Sequence, residues 1–174
     1  MATNLVRHQE TGNLHMVTFS CHQRKPHLAS PATCEIFEHS LERMRQKYDF
    51  YINAYVIMPE HVHLLLSEPK KAILAKAIQA LKISVSLQQP HRPLWQHRYY
   101  DFNVYSHQKF QEKLKYIHRN PVTRGLVAKP EDWPWSSFLH YATGARRPVE
   151  VESSWVANAR ERAKTNTNTP IEPR

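Results

Sequence analysis

Two apolar runs joined at Pro59-Glu60 constrain the fold of this chain more than any other feature of its sequence. The second run begins with two histidines separated by one valine. Side chains alternate between the two faces of a strand, so His61 and His63 share one face with Leu65. The opposite face carries Val62, Leu64 and Leu66. We therefore predict a hairpin whose second strand is anchored in a core by one face and presents two imidazoles on the other.

The two histidines have two interpretations. Imidazoles at neighbouring positions on one strand face can hold a metal ion between them. In a chain with 12 histidines, however, a His-x-His pair alone favours the plainer alternative of exposed or hydrogen-bonded side chains. The metal interpretation therefore depends on further functional residues elsewhere in the chain.

The bulk properties narrow the class of protein. The chain has 174 residues, of which 41% are hydrophobic, and this suits one domain with a tail. It contains neither a run of apolar residues long enough for a membrane span nor a signal-peptide pattern, so we expect no membrane partner and a cytoplasmic protein. The cysteines, Cys21 and Cys34, form no CxxC pair and are expected to be reduced.

The charge balance indicates a polyanionic partner. The formal net charge is +9 and the pI is about 9.7, and nucleic acid is the commonest cytoplasmic polyanion. The alternative is a basic surface without a specific partner. Only three glycines occur, and no glycine-rich phosphate-binding motif is present.

The order of predicted elements is strand, helix, strand, strand, helix, strand, helix. Ser30-Pro31 is typical of a helix start, and apolar residues then recur at offsets of three and four, which predicts one buried stripe. Short connections between the strands and intervening helices favour an α+β fold with an antiparallel sheet and flanking helices. The predicted elements cover about residues 14–21, 30–48, 50–58, 61–66, 73–89, 94–105 and 107–119, followed by short helices near 136–141 and 155–164.

The third helix carries a second candidate group. Phe110, Leu114 and Ile117 form the stripe that docks it, and Tyr116 and Asn120 lie one turn apart on a different face. Tyr116 therefore need not be buried; it is either a packing tyrosine or a nucleophile. Pro121 is expected to end the helix.

Together these segments resemble a known family. Met58-Pro59-Glu60-His61-Val62-His63 after an aromatic and aliphatic strand is typical of the HUH single-strand endonucleases. Within them the chain resembles the REP-associated tyrosine transposases, single-tyrosine enzymes of the IS200-like family. Further matching segments occur in the family's order: Val17-Thr18-Phe19, Trp95-Gln96, Arg98-Tyr99-Tyr100-Asp101, Tyr116-Ile117-His118-Arg119-Asn120-Pro121-Val122, Gly125-Leu126-Val127 and Asp132-Trp133-Pro134-Trp135-Ser136-Ser137.

The resemblance implies a ferredoxin-like or RRM-like nuclease core and a reaction. In such enzymes a tyrosine, here Tyr116, attacks a phosphodiester of single-stranded DNA, forms a 5′-phosphotyrosine link and releases a 3′-hydroxyl that can later reseal DNA. His61 and His63 match the family's metal-binding pair, and Asn120 matches the position of a third ligand. The implied partners are single-stranded DNA and DNA hairpins, and the implied state is a monomer or a homodimer. The resemblance also implies a bacterial protein with nucleoid-associated activity.

The chemistry agrees with these roles. A phenol with a pKa of about 10 is a poor nucleophile at neutral pH and needs a strongly polarised phosphate. A divalent cation supplies that polarisation, and two imidazoles with one amide oxygen suit Mg²⁺ or Mn²⁺. A structural zinc site is disfavoured because neither cysteine has suitable spacing. Glu60 is either a carboxylate that supports the pair or, as its turn position favours, a solvated residue.

Contacts with DNA are predicted for basic and aromatic side chains, with ordinary surface charge and core packing as the alternatives. The candidates are Arg24, Lys25, Trp95, Arg98, Tyr99, Tyr100, Arg119 and Arg124. The predicted transposase domain covers residues 1–145, and residues 146–174 form a basic, partly disordered tail. Two further functions stay open: a non-catalytic nucleic-acid-binding domain, and a metal hydrolase without a covalent intermediate.

Overall fold

The computed structural model describes residues 12–167, and it contains a four-stranded antiparallel sheet with helices on both faces. Predictions for residues 1–11 and 168–174 lie outside the described residues. The elements, in chain order, are β1 (Leu14–Ser20), α1 (Pro31–Tyr48), β2 (Ile52–Ile57), β3 (His61–Leu66), α2 (Leu74–Ser86), β4 (Tyr100–Val104), α3 (His107–Thr123), α4 (Phe138–Thr143) and α5 (Ser154–Thr167).

The strand order confirms the predicted fold class. The strands lie in the order β2-β3-β1-β4, and every neighbouring pair is antiparallel. Because α1 connects β1 to β2 and α2 connects β3 to β4, the first six elements form the βαββαβ pattern of a ferredoxin-like core. The middle strands, β3 and β1, are paired on both sides, so the His61 strand is held at the centre of the sheet.

Helices α1 and α2 cover one face of the sheet. The Ser30 hydroxyl caps α1 by accepting the Thr33 N–H at 3.2 Å, and Pro31 occupies the first turn as predicted. The apolar stripe packs against the β3 residues of the same face. These buried residues include Cys34, Phe37, Leu41, Met44, Tyr48, Val62, Leu64 and Leu66.

Helix α3 covers the other face. Ile117 is fully buried in a smaller apolar cluster with Leu65 and Met16, and Phe110 and Leu114 pack at its edge. The docking stripe predicted for this helix is therefore confirmed. His61 and His63 alternate with the residues of the α1/α2 core, so they project into the layer between the sheet and α3.

The predicted end of the third helix is wrong. Helix α3 continues through Pro121 to Thr123. A proline inside a helix removes its own N–H and crowds the preceding turn, but Pro121 is buried and neighbours the buried Asn120 and Ile117, and backbone bonds resume with Arg124 N–H donating to Asn120 O at 2.9 Å. Tertiary packing thus overrides the local bias, and Asn120 belongs to the helix.

The segment after α4 is part of the packed structure. Val149 and Val151 are buried in the main cluster, Val151 bridges to Ile52 at the edge of β2, and Arg147 pairs with Glu38. The domain division at residue 145 stays a prediction, but these contacts tie residues 147–151 to the sheet. Helix α5 extends to Thr167, three residues beyond the short helix predicted near 155–164.

Candidate active site

The two histidines of β3 meet at their Nε2 atoms. His61 and His63 are 4% and 5% exposed, their Nε2 atoms are 3.0 Å apart, and their rings lie edge to face with 4.7 Å between centroids. The alternation of β3 places both rings on one face, and the pairing of β3 with two strands fixes the backbone that carries them. A single bound atom can therefore contact both nitrogens.

Each outer ring nitrogen has its own oxygen partner. His61 Nδ1 lies 2.9 Å from Glu60 Oε1, and His63 Nδ1 lies 2.6 Å from Thr18 Oγ1. Thr18 is available because β1 pairs with β3 in a register that sets it opposite His63. Both histidines thus direct Nδ1 away from the common point and Nε2 toward it.

Glu60 contacts His61 and therefore belongs to the candidate site, whereas its position in a turn favoured a solvated side chain. Its Oε1 also accepts from Arg124 Nη2 at 2.7 Å and lies 3.5 Å from Arg24 Nη2. Burial alone raises the pKa of Glu60, but His61 and Arg124 outweigh this effect and hold the pKa below its ordinary value. The carboxylate is therefore ionised at neutral pH.

The electrostatics keep the imidazoles neutral. Burial lowers the pKa of His61 despite the adjacent Glu60. Burial, with His61 and Arg124 as further causes, lowers the pKa of His63 to about 3. Neutral imidazole is the form that binds a metal ion.

Helix α3 brings Tyr116 and Asn120 to the same point within one chain. The Tyr116 and His63 rings lie edge to face with 5.2 Å between centroids, and Tyr116 is 51% exposed. Asn120 Nδ2 lies 3.4 Å from His63 Nε2. The structure thus brings together Tyr116, His61, His63 and Asn120, and Tyr116 keeps an open side toward solvent.

The residues around this point fit a divalent cation. In the described part of the chain no cluster of three or more His, Cys, Asp or Glu side chains is arranged to hold a metal, so a third ligand has to be of another type. Asn120 is buried, and its Oδ1 has no hydrogen-bond partner among the described residues. A buried amide oxygen without a partner beside two convergent imidazoles could serve as a third donor to a divalent cation.

An open cavity of about 310 Å³ lies beside the tyrosine. It is lined by Glu112, Lys115, Tyr116, Arg119, Asn120 and Thr123. Lys115 and Arg119 give it two exposed cations, and Asn120 connects it with the histidines. The predicted DNA-contact residue Arg119 therefore lies next to the candidate nucleophile.

The other basic residues that were predicted to contact DNA lie in two places. Arg24 and Arg124 surround Glu60, and Lys25 is exposed in the same loop as Arg24. Arg98 lines a groove of about 610 Å³ between α2 and residues 92–99, together with the cations Lys82 and Arg92.

Trp95 and Tyr99 line the same groove as Arg98, but little of either ring is exposed, and their stacking on bases stays a prediction. They are 9% and 7% exposed because their rings belong to the main core, and Trp95 packs against Phe19 and Phe37. A ring packed in this way offers little face to a base. Tyr100, next to Tyr99 in the chain, is 48% exposed and is accessible to solvent.

Thr18 was not among the site residues predicted from the sequence. The residue stood within one of the matching segments, but its partner lies 45 positions away. Only the register of β1 against β3 reveals the contact. The only sequence feature that could have indicated this contact is a threonine in the strand that pairs with the His-x-His strand.

The sequence of this chain is similar to those of known proteins described as transposases. The REP-associated tyrosine transposase of Escherichia coli K12 is 24% identical over 117 residues, 67% of this chain and 71% of that protein. A Haemophilus influenzae protein provisionally described in the same way is 29% identical over 117 residues, 59% of this chain and 66% of that protein.

A solved structure shares the fold. The structure of a REP-associated tyrosine transposase bound to a REP hairpin superimposes with a TM-score of 0.73 at 21% identity, covering 87% of this chain and 92% of that one. No helix in residues 12–167 is long and apolar enough to cross a membrane.

The family model described as "Transposase IS200 like" matches residues 9–120, and this chain therefore belongs to the IS200-like transposase family.

Proposed function

We propose that this chain cuts and rejoins single-stranded DNA, with Tyr116 as the nucleophile of a covalent 5′-phosphotyrosine intermediate. The observation that carries the proposal is the approach of Tyr116 to His63 within one chain, with 5.2 Å between ring centroids. Asn120, one helical turn later, reaches the same histidine. A tyrosine with a merely structural role has no need of this arrangement.

The proposed step is a transesterification. The Tyr116 oxygen attacks the phosphorus, its proton passes to solvent, and the bond from phosphorus to the 3′-oxygen breaks as that oxygen takes up a proton. A 3′-hydroxyl later attacks the phosphotyrosine and restores the phenol. The number of phosphoester bonds is conserved, so rejoining needs no nucleotide cofactor.

The residues of the candidate site have separate proposed roles. Mg²⁺ or Mn²⁺, held by His61, His63 and Asn120, would supply polarisation of the phosphate oxygens. Helix α3 holds Tyr116 above His61 and His63. The Tyr116 oxygen and a phosphate bound beside the histidines would therefore react as if they were parts of one molecule. Arg119 and Lys115 line the cavity beside Tyr116 and offer positive charge to the bound phosphates.

The proposed substrate is a single strand next to a DNA hairpin. The solved homologue was bound to a REP hairpin, and the net charge of this chain is +9. Arg24, Lys25 and Arg124 at the turn of the histidines, and Arg98 in the groove beside α2, are the proposed phosphate contacts. Because Tyr116 and the histidines meet within one chain, a monomer contains every proposed catalytic residue.

The test is a covalent adduct with labelled single-stranded oligonucleotides that carry hairpins and their flanking sequences. We expect an adduct in Mn²⁺ or Mg²⁺, no adduct in EDTA and none with Tyr116→Phe, while DNA binding persists. Tyr105→Phe is the matched control, since Tyr105 is also exposed but precedes α3, and it should form the adduct normally.

The other results have defined meanings. An adduct that persists in Tyr116→Phe would exclude this residue as the nucleophile. Salt-sensitive binding without an adduct on every substrate would favour the non-catalytic DNA-binding domain. Cleavage by Tyr116→Phe with release of a free 5′-phosphate would indicate a metal hydrolase.

A further inference from the structure

A row of three side chains crosses the sheet from the candidate active site to the sheet edge. In the strand register, Thr18 of β1 is directly opposite His63 of β3 on one side and Tyr100 of β4 on the other. Directly opposite residues of antiparallel strands share one face of the sheet, and the 2.6 Å contact between Thr18 Oγ1 and His63 Nδ1 identifies this face as that of the histidines. The Cα atoms of Tyr100 and His63 are therefore two strand spacings, or about 10 Å, apart on that face.

Tyr100 is the accessible member of this row. Helix α3 packs on the same face through Ile117, in a cluster with Leu65 and Met16, and β4 is the last strand of the sheet. The helix leaves much of Tyr100 uncovered, since its side chain is 48% exposed. The preceding residue, Tyr99, is buried in the core on the other face. Of these two adjacent tyrosines, Tyr100 is the one that presents an aromatic surface beside the candidate active site.

A cation accompanies this tyrosine. Phe102 follows Tyr100 on the same face of β4, two positions later, and Lys113 Nζ lies 4.1 Å from the centroid of the Phe102 ring. Lys113 also precedes Tyr116 by three residues in α3, so these two side chains are neighbours on the helix surface. The Lys113 side chain therefore lies near both tyrosines, and the Phe102 ring limits where its ammonium can go.

An exposed ring and an ammonium beside a phosphate-binding site suit an unpaired DNA strand. Unpaired bases stack on aromatic side chains, and the phosphates between them attract lysine. A base is joined to its phosphate through a single sugar. A phosphate held at the histidines therefore keeps the adjoining base close to a ring whose Cα atom is about 10 Å away.

We propose that Tyr100 stacks on the base of a nucleotide adjoining the phosphate that Tyr116 attacks, and that Lys113 binds the next phosphate of the same strand. The inference rests on the proposed function and identifies two residues that hold its substrate. Because every base has a π-face, stacking here positions the strand without reading its sequence.

The experiment measures the affinity for hairpin oligonucleotides whose cleaved phosphate has been mapped from the adduct of the unmodified chain. Binding is recorded in the Tyr116→Phe chain, which keeps the strand intact. One oligonucleotide has every base, and two others have an abasic nucleotide immediately 5′ or immediately 3′ of the cleaved phosphate. Adding Tyr100→Ala should weaken binding of the complete strand by about 5- to 150-fold. With one of the abasic strands the two chains should bind equally, because no base is left to stack.

Two further variants are matched to Tyr100→Ala. Tyr100→Phe keeps the ring and should bind the complete strand within about twofold of the chain that retains Tyr100. Tyr105→Ala removes another exposed tyrosine, which lies just beyond the far end of β4 from the Thr18 row, and should leave the affinity unchanged. Thermal unfolding checks that each variant is folded.

The charge of Lys113 is tested separately. Lys113→Met keeps an unbranched side chain beside Phe102 but removes the ammonium, so the slope of log affinity against log salt should fall in magnitude by about 0.7 for a single strand. Lys47→Met is the matched control, because Lys47 Nζ also lies over a ring, 5.3 Å from the Tyr48 centroid, but on α1 across the sheet. Its slope should stay unchanged.

The outcomes distinguish this inference from the proposed function. If the unmodified chain forms no adduct, the proposed function is wrong and the inference fails with it. If the adduct forms but Tyr100→Ala does not weaken binding, or weakens it equally for all three strands, only the stacking is overturned. A slope that Lys113→Met leaves unchanged would overturn the phosphate contact of Lys113.

Discussion

Asn120 Nδ2 lies 3.4 Å from His63 Nε2, although the two residues are 57 positions apart in the chain. The contact depends on α3 packing across β2 and β3 through Ile117 and Leu65. It also depends on the helix continuing past Pro121, since a helix that ended earlier would leave the Asn120 side chain without a fixed direction. The candidate site is thus a product of how one helix docks on one sheet face.

The donor set of the site leads to the first prediction. Asn120→Ala should weaken Mn²⁺ binding by about tenfold or more, because it removes the buried amide oxygen that we propose as the third ligand. His61→Ala combined with His63→Ala should remove metal binding and adduct formation together. Calorimetric titration and the adduct assay measure these effects.

Gln111→Ala is the control for Asn120→Ala. Gln111 lies on the same helix but is exposed, so its loss should leave Mn²⁺ affinity unchanged. Equal affinities of Asn120→Ala and the unmodified chain would exclude Asn120 as a ligand.

Arg124 leads to the second prediction, on DNA affinity. It is about half exposed and pairs with Glu60 at 2.7 Å, so Arg124→Ala should cost less than about 1 kcal/mol of folding free energy. If it contacts a phosphate, the slope of log affinity against log salt should fall in magnitude by about 0.7 for a single strand. Fluorescence anisotropy over a salt series measures the slope.

Lys47→Ala serves as the comparison, because Lys47 lies on α1, on the opposite face of the sheet from α3. Its loss should leave the slope unchanged. A slope that is the same in Arg124→Ala as in the unmodified chain would remove Arg124 from the phosphate contacts.

The third prediction concerns the buried Glu38. This carboxylate is 2% exposed, accepts from Tyr55 Oη at 2.7 Å and pairs with Arg147 at 3.3 Å. Arg147 also donates to the Pro134 carbonyl. Arg147→Met should lower the free energy of unfolding by about 3 kcal/mol, because it leaves a buried charge without its cation. Urea unfolding measures the loss.

A double-mutant cycle isolates the pair. Adding Glu38→Gln to Arg147→Met removes the uncompensated charge and should restore part of the lost stability. Purely additive losses would mean that Arg147 stabilises the protein through packing and the Pro134 contact rather than through Glu38.

The fourth prediction concerns pH and His15. This fully buried side chain contacts Asp101 Oδ1 at 2.7 Å through Nδ1 and Glu68 Oε1 at 2.8 Å through Nε2. Burial alone lowers its pKa, but the hydrogen bonds to Asp101 and Glu68 outweigh burial and raise the pKa above the ordinary value. Both ring nitrogens can donate only in the protonated form.

The sign of the effect follows from linkage. Because the folded pKa is the higher one, the stabilisation is fully present below the ordinary histidine pKa and is lost as the pH rises through the raised value. Unfolding free energies of the unmodified chain and His15→Gln should therefore differ more at about pH 6 than at about pH 9. A difference that is the same at both pH values would mean that folding leaves the pKa of His15 unchanged, and a larger difference at about pH 9 would mean that the fold holds His15 neutral.

Much of the fold could be predicted from local patterns. The alternation of β3, the cap at Ser30 and the stripes of α1 and α3 each depend on residues close in sequence, and each is found as expected. The errors lie where packing overrides local preference. Pro121 lies inside a helix, and Glu60 accepts a hydrogen bond from Arg124, which is 64 positions away in the chain.

The sequence by itself determined the candidate residues: strand alternation places His61 with His63, helical spacing places Tyr116 with Asn120, and the resemblance to a known family assigns their proposed roles. Only the tertiary structure decided that the two pairs meet within one chain, that Thr18 faces His63 and that Trp95 and Tyr99 belong to the core. The physical reason is that these contacts depend on strand register and on the docking of α3, which follow from burying apolar surface across the whole sheet rather than from any one segment.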